Sequence, residues 1–412
     1  MMRLKYSLGI FLIIAFILGI TNSGIAFNTS QTLKYDTSYL LSTWMINHTL
    51  TLDIDYFHEL TDDVYLEGDL IIRTTNKNFG KPFVIFPNEV YISDYNVIEN
   101  LDLKAGKIIN RWGAADIFSP LDNFNPSPPE ISLTGQQNKI GAFGISASYY
   151  MGNSTYLYGV ILPWLTPTPY PDEYLKSNYL SSYATGIPEQ GLGINQVKLN
   201  YQETENIIWG LRLTHSFPTF DAGISYYHGN YMDPFPVNLS ISPDSMTEFT
   251  VGYPSKQVLG LEFQGEFPGI EGATLRGDLA YIIPEHWLFQ GEDLLDNHYF
   301  KGVISADYTT DSNWYFNGGF IYGMPFEKGN DCSPYVYLNT KKEFEDSDFT
   351  PFYVTVLSLQ DTSMINVIGV DYQLTESVSA SINYSFLTGD QQSKLGLFKN
   401  SQGLYFSLEW LF

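Results

Sequence analysis

Apolar and polar residues alternate with a period of two through most of the chain. In Leu50-Thr51-Leu52-Asp53-Ile54-Asp55-Tyr56 the apolar residues fall on one face and Thr51, Asp53 and Asp55 on the other. Val64-Tyr65-Leu66-Glu67-Gly68-Asp69-Leu70 repeats this after the tight turn Thr61-Asp62-Asp63. Further on, Trp209, Leu211 and Leu213 alternate with Gly210, Arg212 and Thr214, and Leu259, Leu261 and Phe263 with Gly260, Glu262 and Gln264. Leu275, Leu279 and Tyr281 oppose Thr274, Arg276 and Asp278, and Ser377 to Ser385 alternate with Val378 to Phe386. Such alternation predicts strands rather than helices.

Alternation alone fits a soluble sandwich or a membrane barrel. Three features favour the barrel. The segments run about 9–12 residues, which suits a tilted membrane strand; soluble strands usually have about 5–6. Aromatics gather near segment ends, as at Tyr56-Phe57, Tyr149-Tyr150 and Tyr226-Tyr227, where girdles form. Connections also come in two kinds. Some are short, such as Gly152-Asn153, Thr310-Asp311-Ser312 and Gln360-Asp361-Thr362; others are long, such as 111–136, 163–193, 285–296 and 389–401.

The first residues are set apart from the fold. Arg3 and Lys5 precede the apolar run Leu8–Ile20, and small residues end at Ala26. This is the pattern of a signal peptide, 1–26, leaving 27–412 as the barrel with long outer loops. The apolar run is too short for a spanning helix. No plug domain is expected before the first strand pattern.

At the other end Leu404, Phe406, Leu408, Trp410 and Phe412 alternate with Tyr405, Ser407, Glu409 and Leu411. Here the chain resembles the outer-membrane β-barrel proteins of diderm bacteria, porin-like members included. The resemblance implies that Phe406, Leu408, Trp410 and Phe412 are the signal read by the barrel-assembly machinery. It also implies contact with outer-membrane lipid, and a homotrimer as a common assembly. A shorter stretch, Gly106-Lys107, Arg111-Trp112-Gly113-Ala114-Ala115-Asp116 and Pro120-Leu121-Asp122-Asn123-Phe124-Asn125-Pro126, resembles a strand–loop signature of poorly characterised porin-like barrels.

The fold expected is all-β: a transmembrane antiparallel up-and-down β-barrel of about 18 strands, within 16–20. Both chain ends facing the periplasm demand an even count. Segment 194–203 then has no place as a crossing and belongs to the long connection before it. Tyr335–Asn339 becomes a crossing instead.

Composition sharpens the function. The chain has 45 acidic and 21 basic residues, a formal charge of −24, and loss of Arg3 and Lys5 takes it to −26. That balance excludes nucleic acid as a partner. The single cysteine, Cys332, excludes a disulfide framework and a zinc ribbon. The 16% aromatic content is expected mainly on the lipid face and in girdles. A barrel of this width leaves an aqueous channel, so passive diffusion of small hydrophilic solutes or ions is the expected function, with weak cation selectivity. The candidates for pore lining or constriction are Asp53, Asp55, Glu67, Asp69, Arg73, Arg111, Asp116, Asp122, Lys198, Arg212, Glu262, Glu266, Arg276, Asp278 and Asp371. Arg212 and Arg276 are expected to pair with lumen acids. The Pro- and aromatic-rich loop 111–130 is the expected inward-folded constriction, with a surface cap as the alternative.

Enzymatic chemistry is not expected. The six histidines (His48, His58, His215, His228, His286, His298) have no metal-ligand spacing, and no Gly-x-Ser-x-Gly elbow or phosphate loop occurs. No cofactor, metal or catalytic residue is assigned. Two other functions stay open: a structural or adhesive surface barrel without an open pore, and a transporter of hydrophobic compounds of the fatty-acid type.

Overall fold

The computed structural model describes residues 28–41, 44–76, 83–127, 139–170, 172, 175, 197–202, 204, 206–241, 247–390 and 392–412. The expected signal peptide and most of loop 163–193 lie outside the described residues.

The chain begins with β1 (Asn28–Leu40), β2 (Met45–Thr61), β3 (Val64–Thr75), β4 (Phe83–Ile98), β5 (Leu101–Ile108), β6 (Ala142–Tyr150) and β7 (Thr155–Leu162). There follow β8 (Val197–Tyr201), β9 (Ile208–Ser216), β10 (Phe220–Asn230), β11 (Phe235–Ile241), β12 (Thr247–Gly252), β13 (Ser255–Glu266) and β14 (Ala273–Pro284). β15 (Trp287–Phe289) and β16 (Glu292–Leu295) form a small hairpin. The last run is β17 (Tyr299–Thr309), β18 (Trp314–Tyr322), β19 (Pro334–Lys342), β20 (Phe349–Ser358), β21 (Met364–Thr375), β22 (Val378–Thr388) and β23 (Gly403–Leu411).

Eighteen of these strands, all but β8, β11, β12, β15 and β16, form one antiparallel up-and-down sheet closed into a barrel. β1 pairs on one side with β2 and on the other with β23, so that Leu33 lies opposite both Leu52 and Trp410. Closure leaves the first and last strands without the unpaired edge that an open sheet would expose. The expected count of 18 is the count observed. Tyr335–Asn339 is a crossing, within β19. Segment 194–203 is not: β8 pairs in parallel with β12 in a separate three-stranded sheet with β11.

Turn residues explain the short connections. Asp62-Asp63 joins β2 to β3, and the Tyr65 hydroxyl donates to the Asp62 carbonyl at 2.7 Å. Asn100 and Asn313 carry φ of 64° and 60° in the β4–β5 and β17–β18 turns, a left-handed conformation that asparagine tolerates. Connections alternate along the chain between this kind and longer ones. Gln360-Asp361-Thr362 is short but falls by alternation among the long set, and Glu343–Asp348 falls among the short set.

Contacts divide the chain into two compact parts. One is built from the chain up to Tyr95, Asp307–Gly319 and Tyr335–Phe412; the other comprises Asn96–Ala306 and Phe320–Pro334. In the second part the register places Leu213, Ile224, Leu261 and Leu279 in one row across β9, β10, β13 and β14. All four are exposed, at 37%, 56%, 55% and 43%, as lipid-facing side chains of a barrel should be. One residue along, the opposite face carries the row Arg212, Ser225, Gly260 and Ala280. In the first part Ile382 and Phe406 are a register pair and likewise exposed.

The expectation for the aromatics needs correction. Many do sit on the outer face, but Trp112, Phe124, Tyr227, Tyr299, Tyr335 and Tyr337 are buried. In the second part the reason is a loop that packs onto the barrel's other face and creates a core there.

Candidate channel loop and the wall beneath it

Residues 109–127 leave β5 and pack on the polar face of the second part. Trp112, Leu121 and Phe124 form a buried cluster with Val160 of β7, Ile208 of β9, Tyr227 of β10, Val258 of β13, Ala280 and Ile282 of β14, and Tyr299 of β17. These wall residues alternate with the exposed apolar rows, so the loop lies opposite the lipid-type face. Trp112 meets Phe124 edge-on with centroids 4.7 Å apart, and Phe124 meets Tyr227 at 5.0 Å. Gly210 makes the seat possible: a Cβ there would lie 2.8 Å from Phe124 and 2.9 Å from Trp112. Each of the three buried loop side chains contributes about 1.5–3 kcal/mol by leaving water. Asn125 ties the loop's ends together. Its amide nitrogen donates to the Ile108 and Ile140 carbonyls, both at 2.9 Å, and its oxygen accepts the Asn110 N–H at 2.7 Å.

Polar contacts fix the rest of the loop to the wall. Asp278, 4% exposed, accepts the N–H groups of Ala114 and Ala115 at 2.9 and 3.0 Å. Gly113 precedes them with φ of 99°, and a Cβ there would strike both Ser119 Oγ and the Asp278 carboxylate. Arg276 donates to Asp116 at 2.8 Å, and Lys256 to Asn123 at 2.6 Å. Beneath the loop Arg212 donates through Nε at 2.7 Å and Nη2 at 2.5 Å to one oxygen of Glu262. Lys139 pairs with Asp122 at 3.1 Å. Burial pushes the Asp122 carboxyl above its usual range, against the opposing pull of Lys139 and Arg111.

A second node joins connections further along the chain. Asp233 accepts the hydroxyls of Thr168 and Tyr170, each at 3.1 Å, and Lys328 at 3.4 Å. Burial alone would raise the Asp233 carboxyl, but the Lys328 charge and the two hydroxyls outweigh it and hold it low. Lys328 also stands over Phe235 at 4.9 Å, and Lys256 over Tyr231 at 4.7 Å.

The sequence candidates therefore separate. Arg212, Glu262, Arg276, Asp278, Asp116 and Asp122 come together around the loop, and both arginines pair with acids as expected. Arg111 is exposed at the loop's start, and Glu266 is exposed at the end of β13. In the first part Asp53, Asp55 and Asp69 converge, each offering a carboxylate oxygen within 4.8 Å of the others. They are the described residues grouped closely enough to hold a cation. Ser30 donates to Asp55 at 3.2 Å, and Glu67 accepts Tyr91 at 3.0 Å and Ser93 at 2.6 Å. Ser30, Asp55, Glu67, Asp69 and Tyr91 line one cleft. Arg73 and Asp371 are exposed on their strands. Lys198 stands off the barrel wall, on β8, paired with Glu248 at 3.0 Å. Phe406, Leu408 and Trp410 lie on β23, and the Phe412 backbone exchanges hydrogen bonds of 3.1 and 2.9 Å with Gln31.

Several cations on the same wall escaped the sequence reading. Lys104 lies opposite Ser146 on β5, and Lys301, 6% exposed, donates to the Met324 carbonyl at 2.6 Å. The signal was present, because each alternates with apolar neighbours: Leu103 and Ala105 around Lys104, Phe300 and Gly302 around Lys301. Lys256 carried no such signal, since Ser255 and Gln257 flank it.

No protein-family model matches the sequence, and no curated protein matches it either. Solved structures do match. The outer membrane protein OpdK of Pseudomonas aeruginosa aligns over 94% of this chain and 99% of its own, with a TM-score of 0.54 and 9% identity. OpdL of the same organism aligns over 94% and 98%, with a TM-score of 0.55 and 11% identity. OccAB3 of Acinetobacter baumannii aligns over 94% and 99%, with a TM-score of 0.51 and 10% identity. At such identities the likeness carries the fold alone: a closed β-barrel, of 18 strands in this chain, like that of the outer membrane protein OpdK.

Proposed function

We propose that the protein is an outer-membrane channel through which small hydrophilic solutes diffuse passively, with a weak preference for cations. The observation that carries this reading is the 109–127 loop, seated on the polar face of a closed barrel instead of capping its end. A loop held there narrows the passage and leaves its lining to charged side chains. The cation preference rests on how the acids are matched. Around the loop, Glu262, Asp116 and Asp122 each meet an arginine or lysine. In the first part Asp55 and Glu67 meet hydroxyl groups, beside Asp53 and Asp69. Uncompensated carboxylates favour cations near them.

Export by residues 1–26, recognition of Phe406, Leu408, Trp410 and Phe412 by the assembly machinery, and a homotrimer belong to the same proposal. Liposome swelling tests the channel reading. Vesicles containing the protein should swell in small sugars at rates that fall with sugar size. Swelling no faster than that of protein-free vesicles would favour an adhesive or structural barrel, and transport of hydrophobic compounds alone would favour the fatty-acid type.

A further inference from the structure

We infer that Asp278 positions the Ala114–Ala115 stretch of the 109–127 loop, and that it does so only as a carboxylate, so acidification releases that stretch from the wall. The inference rests on reading that loop as the channel's constriction, but the contact itself does not depend on conduction. An ionised carboxylate is acceptor-only and takes two backbone N–H groups at once. Asp278 does this for Ala114 and Ala115, at 2.9 and 3.0 Å. A protonated acid must spend one oxygen as a donor, and an N–H of the loop then faces an O–H.

The surroundings make the contact hard to replace. Asp278 is 4% exposed, so water has little access to take over for either N–H. Gly113 cannot accept a side chain without striking Asp278 or Ser119, which fixes the path of the loop at that point. The charged groups facing Asp278 are identifiable on each packed element. β13 presents Glu262 directly opposite it in register. β9 presents Arg212, engaged with Glu262, and β14 presents Arg276, engaged with Asp116 of the loop. β17 presents Lys301, whose ammonium is turned to the Met324 and Pro325 carbonyls. Both arginines form their ion pairs with other carboxylates; Asp278 holds the loop's own amides and the Ser119 hydroxyl, with the Arg212 charge acting on it from a distance. Glu262 and Asp278 are thus two carboxylates directly opposite each other in register, an arrangement in which like charges repel.

Amide hydrogen exchange of the full-length protein in liposomes tests this without requiring a working channel. At neutral pH the Asp278→Asn protein should exchange the peptide spanning Ala114 and Ala115 about tenfold faster or more, while strands β9, β10 and β13 stay protected. In the wild type the same rise, corrected for intrinsic exchange, should appear on acidification. It should persist in Glu262→Gln and vanish in Asp278→Asn, which is already released. Asp278→Glu should restore part of the protection. If Asp278→Asn does not assemble, the pH profiles of Glu262→Gln, Asp122→Asn and Asp278→Glu decide: the rise should persist in the first two and shift in the third. Slow exchange in Asp278→Asn, or a wild-type profile flat down to the pH at which the barrel itself opens, overturns the inference. Loss of sugar permeation with this profile intact would instead count against the channel reading.

Discussion

Replacing Arg212 with methionine should be among the most damaging single changes in the barrel wall. Two guanidinium nitrogens reach Glu262 at 2.7 and 2.5 Å, with side chains only 17% and 4% exposed. Bringing both charges out of water costs several kcal/mol per ion, and their attraction roughly repays it. Removing Arg212 alone leaves the Glu262 carboxylate buried without its counter-charge, beside Asp278. That costs about 3–5 kcal/mol, a factor of about 100 or more in the unfolding equilibrium. Removing both charges in Arg212→Met with Glu262→Met should recover most of the loss. A double-mutant cycle by urea unfolding from vesicles measures the coupling. Lowering the pH should also rescue Arg212→Met selectively, by neutralising Glu262. The surface pair Lys198 and Glu248, 57% and 44% exposed, is the control: Lys198→Met should cost no more than about 1 kcal/mol. The reasoning is refuted if Arg212→Met stays within about 1 kcal/mol of the wild type, or if the double variant is no more stable than the single one.

Other consequences follow from the loop contacts. Trp112→Ala removes the largest side chain of the loop's seat, at a cost of about 3–5 kcal/mol, charged mainly against loop docking. Bilayer recordings should show a larger and noisier conductance, and an unchanged trace would speak against the seat. Asp361 provides a pH test outside the strands. Its slight burial pushes the carboxyl up, but the N–H groups of Lys394 and Ser363 and the Ser363 hydroxyl outweigh this and hold it at about 2. A depressed value means the contact is fully effective above the ordinary 3.8 and is lost as pH falls through about 2. Exchange of loop 389–401 should therefore accelerate over that window and already be fast in Asp361→Ala at neutral pH.

The barrel was legible because lipid on one side and polar groups on the other impose a strict two-residue period. That period and the parity rule also placed β19 and kept Val197–Tyr201 out of the wall. The paired arginines were legible in part: Arg212 and Arg276 fall on polar positions of alternating strands, which turns them toward the wall's acids, although Glu262 lies on β13, two strands from Arg212. Partner choice was not. Nothing near Asp116 says that it meets Arg276, 160 residues away, and nothing near Val197 announces a parallel pairing with Thr247. Such contacts are set by how long connections fold, where no periodicity operates. The buried aromatics were misjudged for the same reason: outer and inner aromatics look alike until the loop that covers the inner ones is placed.

The most direct test of the channel account is the reversal potential across a planar bilayer containing the purified protein, under a tenfold potassium chloride gradient. The account predicts step-like conductance and a modest potential of the sign set by potassium permeation, which shrinks toward zero in Asp53→Asn with Asp55→Asn and Asp69→Asn. Conductance with a potential of the chloride sign would contradict the assigned selectivity, and no conductance at all would contradict the channel itself.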